Sequence, residues 1–229
     1  KKSGEKAAVI VQDLLTLARR GVANKQPVDL NEIITLFLQS PEFNEIQSRH
    51  QNVHINTALA DQLKTVSGSS VHLSKTVMNL VSNAAEAMPD GGQITINTRN
   101  LDRDDSVFGA TDALEGDYLV LEVEDTGMGI SEEDRQKIFE PFYTKKVMGR
   151  SGTGLGLAVV WGTVMDHHGH IEVDSDGKNG SVFRLYFPAS HEKAKTISPK
   201  KEFHKYKGNG NTILVVDDEP GVLEMHARI

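Results

Sequence analysis

The sequence predicts an α/β (α+β) fold, a two-layer sandwich of helices on a mixed sheet, preceded by part of a helical hairpin. Three observations lead there. Apolar and polar residues alternate along Gln93–Leu101 and Tyr118–Glu124, the period of half-buried strands. Residues 70–88 instead place Leu73, Val77, Leu80, Val81, Ala84 and Met88 at helical spacing, as one apolar stripe. The pair Ile171–Ser175 and Ser181–Phe187 reads as a closing hairpin, so the sheet is mostly antiparallel or mixed. A length of 229 residues allows one to two domains at ~150 residues each.

The elements follow in order. In residues 5–20, Ala7, Val11, Leu14 and Ala18 form a heptad-like stripe, and Gly21 is a natural stop. A helix this short needs partners, in a bundle or a coiled coil shared between two chains. Asp29 or Asn31 caps a second helix running to about His50, which Ser40-Pro41 can interrupt. Val53–Leu59 is a strand, residues 70–88 a third helix and Gly154–His168 a fourth. Residues 191–211 differ: six Lys and two Glu give +4 and leave −11 for the remainder, so they read as a solvated linker. Thr212–Gly221 reads as a buried strand ending in an acidic pair, the opening of another domain.

Composition narrows the function classes. Hydrophobic residues are 38% and charged residues 25%, as in ordinary soluble proteins. The absence of cysteine excludes a disulfide scaffold, a thiolate zinc site and a cysteine nucleophile. No apolar run approaches the ~18 residues of a membrane span. No signal peptide opens the chain and the first residue is not Met, so an excerpt of something longer is expected. A net charge of −7 argues against a nucleic-acid partner.

Four motifs carry chemistry. On the third helix, Asn79, Asn83 and Glu86 share a face away from the apolar stripe. Asn is a poor helix-interior residue, and its amide oxygen is a hard, neutral ligand suited to Mg²⁺ that also holds phosphates. Alone, the pattern favours a solvated helix face. Next, Asp125-Thr-Gly127-Met-Gly129-Ile130 follows a strand. An ionised Asp only accepts, so it can take a hydrogen from an exocyclic amine such as adenine's and reject guanine, while the glycines permit close approach to a flat ring. Alone, it is equally a strand-to-helix turn.

The third motif is Phe139-Glu-Pro-Phe142-Tyr-Thr, followed by Lys145, Lys146, Gly149 and Arg150. The basic stretch reads as a lid whose cations meet phosphates, or as a surface loop, with Phe139 and Phe142 in the core. The fourth, Gly152-Thr153-Gly154-Leu155-Gly156-Leu157, opens a helix, where backbone N–H groups and the dipole favour an anion. It is neither a Walker loop nor a dinucleotide fingerprint, since no Gly-Lys-Ser/Thr follows and no strand precedes it.

The ordered set is far more specific than its parts. Residues 28–188 resemble the ATP-binding catalytic domain of sensor histidine kinases, in the group that includes gyrase, the Hsp90 chaperones and the MutL proteins. Asn79–Ala87 looks like the N box, Asp125–Ile130 the G1 box, Phe139–Phe142 the F box and Gly152–Leu157 the G2 box. The resemblance implies the Bergerat sandwich over residues 28–190 and an ATP lid over about Tyr143–Thr153. It implies ATP and Mg²⁺ as cofactors. The ATP-binding residues would be Asn79, Asn83, Glu86, Ala87, Asp125, Gly127, Gly129, Ile130, Phe142, Lys145, Thr153, Gly154, Leu155, Gly156 and Leu157, with Asn83 on Mg²⁺. Residues 1–22 resemble the second helix of a dimerisation and phosphotransfer hairpin. Residues 212–229 resemble the start of a receiver domain, in which Asp217 and Asp218 match the Mg²⁺-binding acidic pair.

The implied parent is a hybrid histidine kinase, cytoplasmic in this portion and homodimeric when whole. Its partners are the helical phosphotransfer domain of the same protein and a receiver domain or response regulator. The family's phosphoacceptor motif is not found among the nine histidines, and the receiver's phosphoacceptor Asp is expected beyond residue 229. This chain alone is therefore expected not to phosphorylate itself. In the ATPase relatives a Glu matches Asn79 and activates water; an Asn is no general base, which favours phosphoryl transfer over hydrolysis. An ATPase or ATP-gated module, and an inactive nucleotide-binding scaffold, are the alternatives.

Overall fold

The structure, a computed structural model, describes residue 11 and residues 25–101, 116–145, 153–192 and 194. The chain divides into two units, Lys1–Lys195 and Thr196–Ile229, and every described residue belongs to the first. Apart from residue 11, the expected hairpin helix lies outside the described residues, as do most of the linker, the receiver-like segment with Asp217 and Asp218, and Lys146–Gly152 of the expected lid.

The elements run β1 (Gln26–Val28), α1 (Leu30–Leu38), α2 (Pro41–Arg49), β2 (Val53–Ala58), β3 (Thr65–Gly68) and α3 (Ser70–Glu86). Then come β4 (Gly92–Leu101), β5 (Tyr118–Asp125), α4 (Glu132–Arg135), α5 (Gly156–Asp166), β6 (His170–Asp174) and β7 (Ser181–Ser190). The second predicted helix is thus two. Asp29 caps α1 by accepting from the amides of Asn31 and Glu32, and Ser40 caps α2 by accepting from Phe43, with Pro41 at the first helical position. Pro41 lacks an N–H and so cannot continue α1.

The described strands form one mixed sheet of seven, ordered β1-β3-β7-β5-β4-β2, with β6 also on β7. Only β2 and β4 run parallel, with Val53 opposite Gly92; every other pairing is antiparallel. The register Leu121 opposite Leu185 and Leu119 opposite Phe187 puts four apolar side chains on one sheet face. Against that face lies α3, whose predicted stripe of Leu73, Val77, Leu80, Val81 and Ala84 is entirely buried, as is Met88 two residues past its end. Each buried Leu, Val or Met of that stripe contributes about 1.5–3 kcal/mol by leaving water, and Leu80→Ala would cost about 2–5 kcal/mol through transfer and cavity terms. The sandwich of helices on a mixed sheet is therefore present. Among the described residues no helix is long and apolar enough to cross a membrane.

Two sequence expectations need correction. The fourth helix begins at Gly156, not Gly154, because Gly154 sits at φ +71°, outside helical geometry. It ends at Asp166, with His168 left-handed at φ +57°. Phe142 is not in the core: it is 61% exposed and also left-handed, at φ +67°. Phe139, by contrast, is half-buried and packs on Trp161 with ring centroids 5.1 Å apart.

Candidate functional site

Asp125 ends β5 in the centre of the sheet and is buried. Its Oδ1 accepts the Gly127 N–H at 2.8 Å, and its Oδ2 accepts the Ser181 hydroxyl at 2.5 Å. Both oxygens are thus held while lone pairs remain for a ligand. Ser181 escapes sequence reasoning because a serine at the start of a strand is unremarkable; only the register, Asp125 opposite Ser181, reveals it. Gly180, just before it, is required by close approach: a methyl group there would lie 1.9 Å from the Asp125 carbonyl oxygen, and its φ is +94°.

The loop after Asp125 rests on the end of α3. A methyl group on Gly127 would lie 2.8 Å from the Ala87 carbonyl oxygen, and the Met128 N–H reaches that same oxygen at 3.3 Å. Thr126 and Gln93 exchange hydrogen bonds, Thr126 N–H to the Gln93 carbonyl and Gln93 N–H to Thr126 Oγ1. The exposed Met128 and half-buried Gly129 and Ile130 complete the loop.

Asn79 and Asn83 are half-buried on the α3 face that meets the start of α5. Asn79 Nδ2 donates to the Gly156 carbonyl at 3.1 Å. A methyl group on Gly156 would lie 3.5 Å from Asn79 Oδ1 and 3.7 Å from Asn83 Nδ2, so the helix start lies directly on the two amides. Glu86, half-buried, stands one turn further along α3. Leu155 is fully buried and anchors the turn, its N–H bonded to Thr153 Oγ1 at 3.2 Å. Leu157 packs against the core.

Phe142 and Gly154 clasp the two ends of the 143–153 segment. The Phe142 N–H donates to the Gly154 carbonyl at 2.9 Å, and any side chain on Gly154 would strike the Phe142 backbone at 2.6 Å. Lys145 pairs with Asp134 at 2.6 Å. The same carboxylate accepts from Ser131 and Tyr143, both at 2.6 Å. Lys145 above all, then Ser131 and Tyr143, holds Asp134 well below the usual carboxylate range, and Asp134 in turn pushes the Tyr143 phenol up to about 12.

The four motifs are therefore joined in one circuit of contacts: Asp125 loop to Ala87, α3 to Gly156, and Gly154 to Phe142. Among the described residues no group of three or more His, Cys, Asp or Glu is placed to hold a metal ion. A metal here would rest on amide oxygens of α3 together with groups the ligand brings.

Residues 68–191 match the family described as histidine kinase-, DNA gyrase B-, and HSP90-like ATPase. The chain is similar to the sensor kinase CckA of Brucella abortus (strain 2308), 33% identical over 232 residues that cover 97% of this chain and 24% of that protein. It is also similar to sporulation kinase E of Bacillus subtilis (strain 168), 32% identical over 142 residues, covering 62% and 17%. Among solved structures, full-length ShkA in complex with AMPPNP is 25% identical with a TM-score of 0.62, over 84% of this chain and 38% of that one. The catalytic domain of the histidine kinase ThkA is 26% identical with a TM-score of 0.57, over 72% of this chain and 95% of that one. The chain spans about a quarter or less of the length of the first two relatives.

Proposed function

Because the chain belongs to the histidine kinase-, DNA gyrase B- and HSP90-like ATPase family, we propose that it is the ATP-binding catalytic portion of a hybrid sensor histidine kinase. The observation that carries this reading is the circuit itself. A buried carboxylate, two helix-borne amides and a glycine-opened helix start are brought together although they lie up to 77 residues apart.

In this reading Asp125 accepts the N6 hydrogen of adenine, with its orientation set by Gly127 and Ser181. Ala87, Gly129, Ile130 and Phe142 border the base. The amides at Gly154–Leu157 meet the phosphates at the positive end of α5. Lys145 adds charge once it leaves Asp134. The donor set fits Mg²⁺, which binds through one or two protein oxygens plus substrate phosphates. Asn83 would hold it, with Asn79 keeping the start of α5 in place beside it. What the ion supplies when bound is neutralisation of charge on the phosphate oxygens.

The remaining chemistry is positioning of the γ-phosphoryl group for transfer to a histidine on the helical phosphotransfer domain, and from there to a receiver aspartate. Asp217 and Asp218 would contribute to that receiver's own Mg²⁺ site. The parent would act as a homodimer, with this portion in the cytoplasm and no nucleic-acid partner. Calorimetric titration of the chain with Mg-ATP and Mg-GTP tests the reading. ATP should bind at least about 100-fold more tightly, because a site that accepts from an amine leaves guanine's carbonyl unpaired. Equal affinities, or binding of neither, would overturn it.

A further inference from the structure

The turn between β6 and β7 touches the Asp125–Ile130 loop at both ends. At the near end Ser181 holds the Asp125 carboxylate, and Gly180 lies against the Asp125 carbonyl. At the far end Ser175 Oγ accepts the Ile130 N–H at 2.8 Å, across 45 residues of sequence. The same oxygen donates to the Gly180 carbonyl at 2.6 Å and accepts the Gly177 N–H at 3.3 Å. A hydroxyl has one hydrogen to give and two lone pairs, so Ser175 uses its whole capacity. Gly129 packs on it as well, since a methyl group there would lie 2.9 Å from Ser175 Oγ. Asp176 builds the rest of the turn by accepting the Lys178 and Asn179 amides, both at 2.8 Å.

We propose that Ser175 is a positioning residue for nucleobase recognition: its hydroxyl fixes the far end of the Asp125–Ile130 loop relative to the carboxylate that reads the base. The inference rests on the nucleotide reading above and adds a determinant outside the four motifs. Its logic is mechanical. Asp125 is set from one side by Ser181 and Gly180, while Gly129 and Ile130 are set by Ser175, and Ser175 is bonded to Gly180. The two halves of the base site therefore share one reference point.

The test compares Ser175→Ala and Ser175→Thr with the unsubstituted 229-residue chain, titrated with Mg-ATP, Mg-ADP and Mg-GTP well below the thermal midpoint. Ser175→Ala leaves the Ile130 N–H and the Gly180 carbonyl without their partner, and should weaken ATP and ADP binding by the same factor, about tenfold. GTP binding should not weaken in step, so the preference for ATP narrows. Ser175→Thr keeps the hydroxyl and should stay within about threefold of the parent. A purely architectural role would lower the thermal midpoint and leave the ATP-to-GTP ratio alone, which would overturn the proposal. So would unchanged ATP affinity in Ser175→Ala, or a loss confined to ATP and absent for ADP. If the unsubstituted chain binds no nucleotide, the reading above falls and takes this one with it; if it binds and Ser175→Ala binds equally well, only this one falls.

Discussion

Replacing one carboxylate oxygen of Asp125 by an amide keeps its shape and reverses half of its hydrogen bonding. An Asn can still accept the Gly127 N–H, and the Ser181 hydroxyl can turn to accept from its NH₂, but in the proposed reading an NH₂ aimed at the adenine amine sets donor against donor. Asp125→Asn should weaken ATP binding roughly 10- to 150-fold, the loss of one charged hydrogen bond, with the fold intact by circular dichroism. Retained affinity would remove Asp125 from the base site. Asp125 was legible as a candidate because an acceptor-only side chain next to glycines at a strand end stands out in the sequence. Ser181, Gly180 and Ser175 were not. They lie 45 to 56 residues from their partners, and serine and glycine in a hairpin turn are what any hairpin contains. Asn79 was legible as a polar residue on a helix face, but its actual partner, the Gly156 carbonyl, depends on how two helices meet.

Two side-chain hydrogen bonds join the two ends of α5 to the middle of α3 and to its cap. One is Asn79 with Gly156; the other is made by His167, which follows α5 and reaches the start of α3. His167 is buried, with Nδ1 against the Thr163 carbonyl at 2.6 Å and Nε2 accepting the Ser69 N–H at 3.1 Å. Ser69 is the residue that caps α3. Burial above all, then the charges of Lys25 and His72, lowers the His167 pKa from 6.5, while the Thr163 bond and Asp166 oppose that shift. The folded state therefore favours neutral imidazole. Its contribution to stability is complete above the unfolded value of 6.5 and is lost as pH falls through the lower folded value. Denaturant unfolding at a series of pH values should show stability falling on acidification from neutrality, and His167→Gln should flatten that dependence. An identical slope in the variant would contradict this account. Sequence placed His167 at a helix end before a strand, which is correct. It did not show that protonation sets a proton against the cap of another helix.

At the scale of the whole fold, long alternating strands and the α3 stripe were readable because burial repeats with a fixed period. β1 and β3, with three and four residues, are too short to show one. Phe142 went the other way: an aromatic side chain in a loop reads as core, yet its left-handed backbone turns it to solvent to close the segment that Gly154 ends. The pairing of β3 with β7 sets Thr65 opposite Ser190, residues 125 apart. That pairing has a price in time during synthesis. At about 5–20 residues per second a ribosome needs about 6–25 s to make the intervening chain. For that interval β3 has no β7 to pair with, and β5, once made, has β4 on one side and no strand on the other. Nascent chains stalled before residue 181 should be cleaved by protease within this unit, and chains stalled well past residue 190 should resist; early resistance would mean that the sheet closes by another route. The order of manufacture thus leaves the Asp125 carboxylate at the end of β5 without its Ser181 hydroxyl until the last strand emerges.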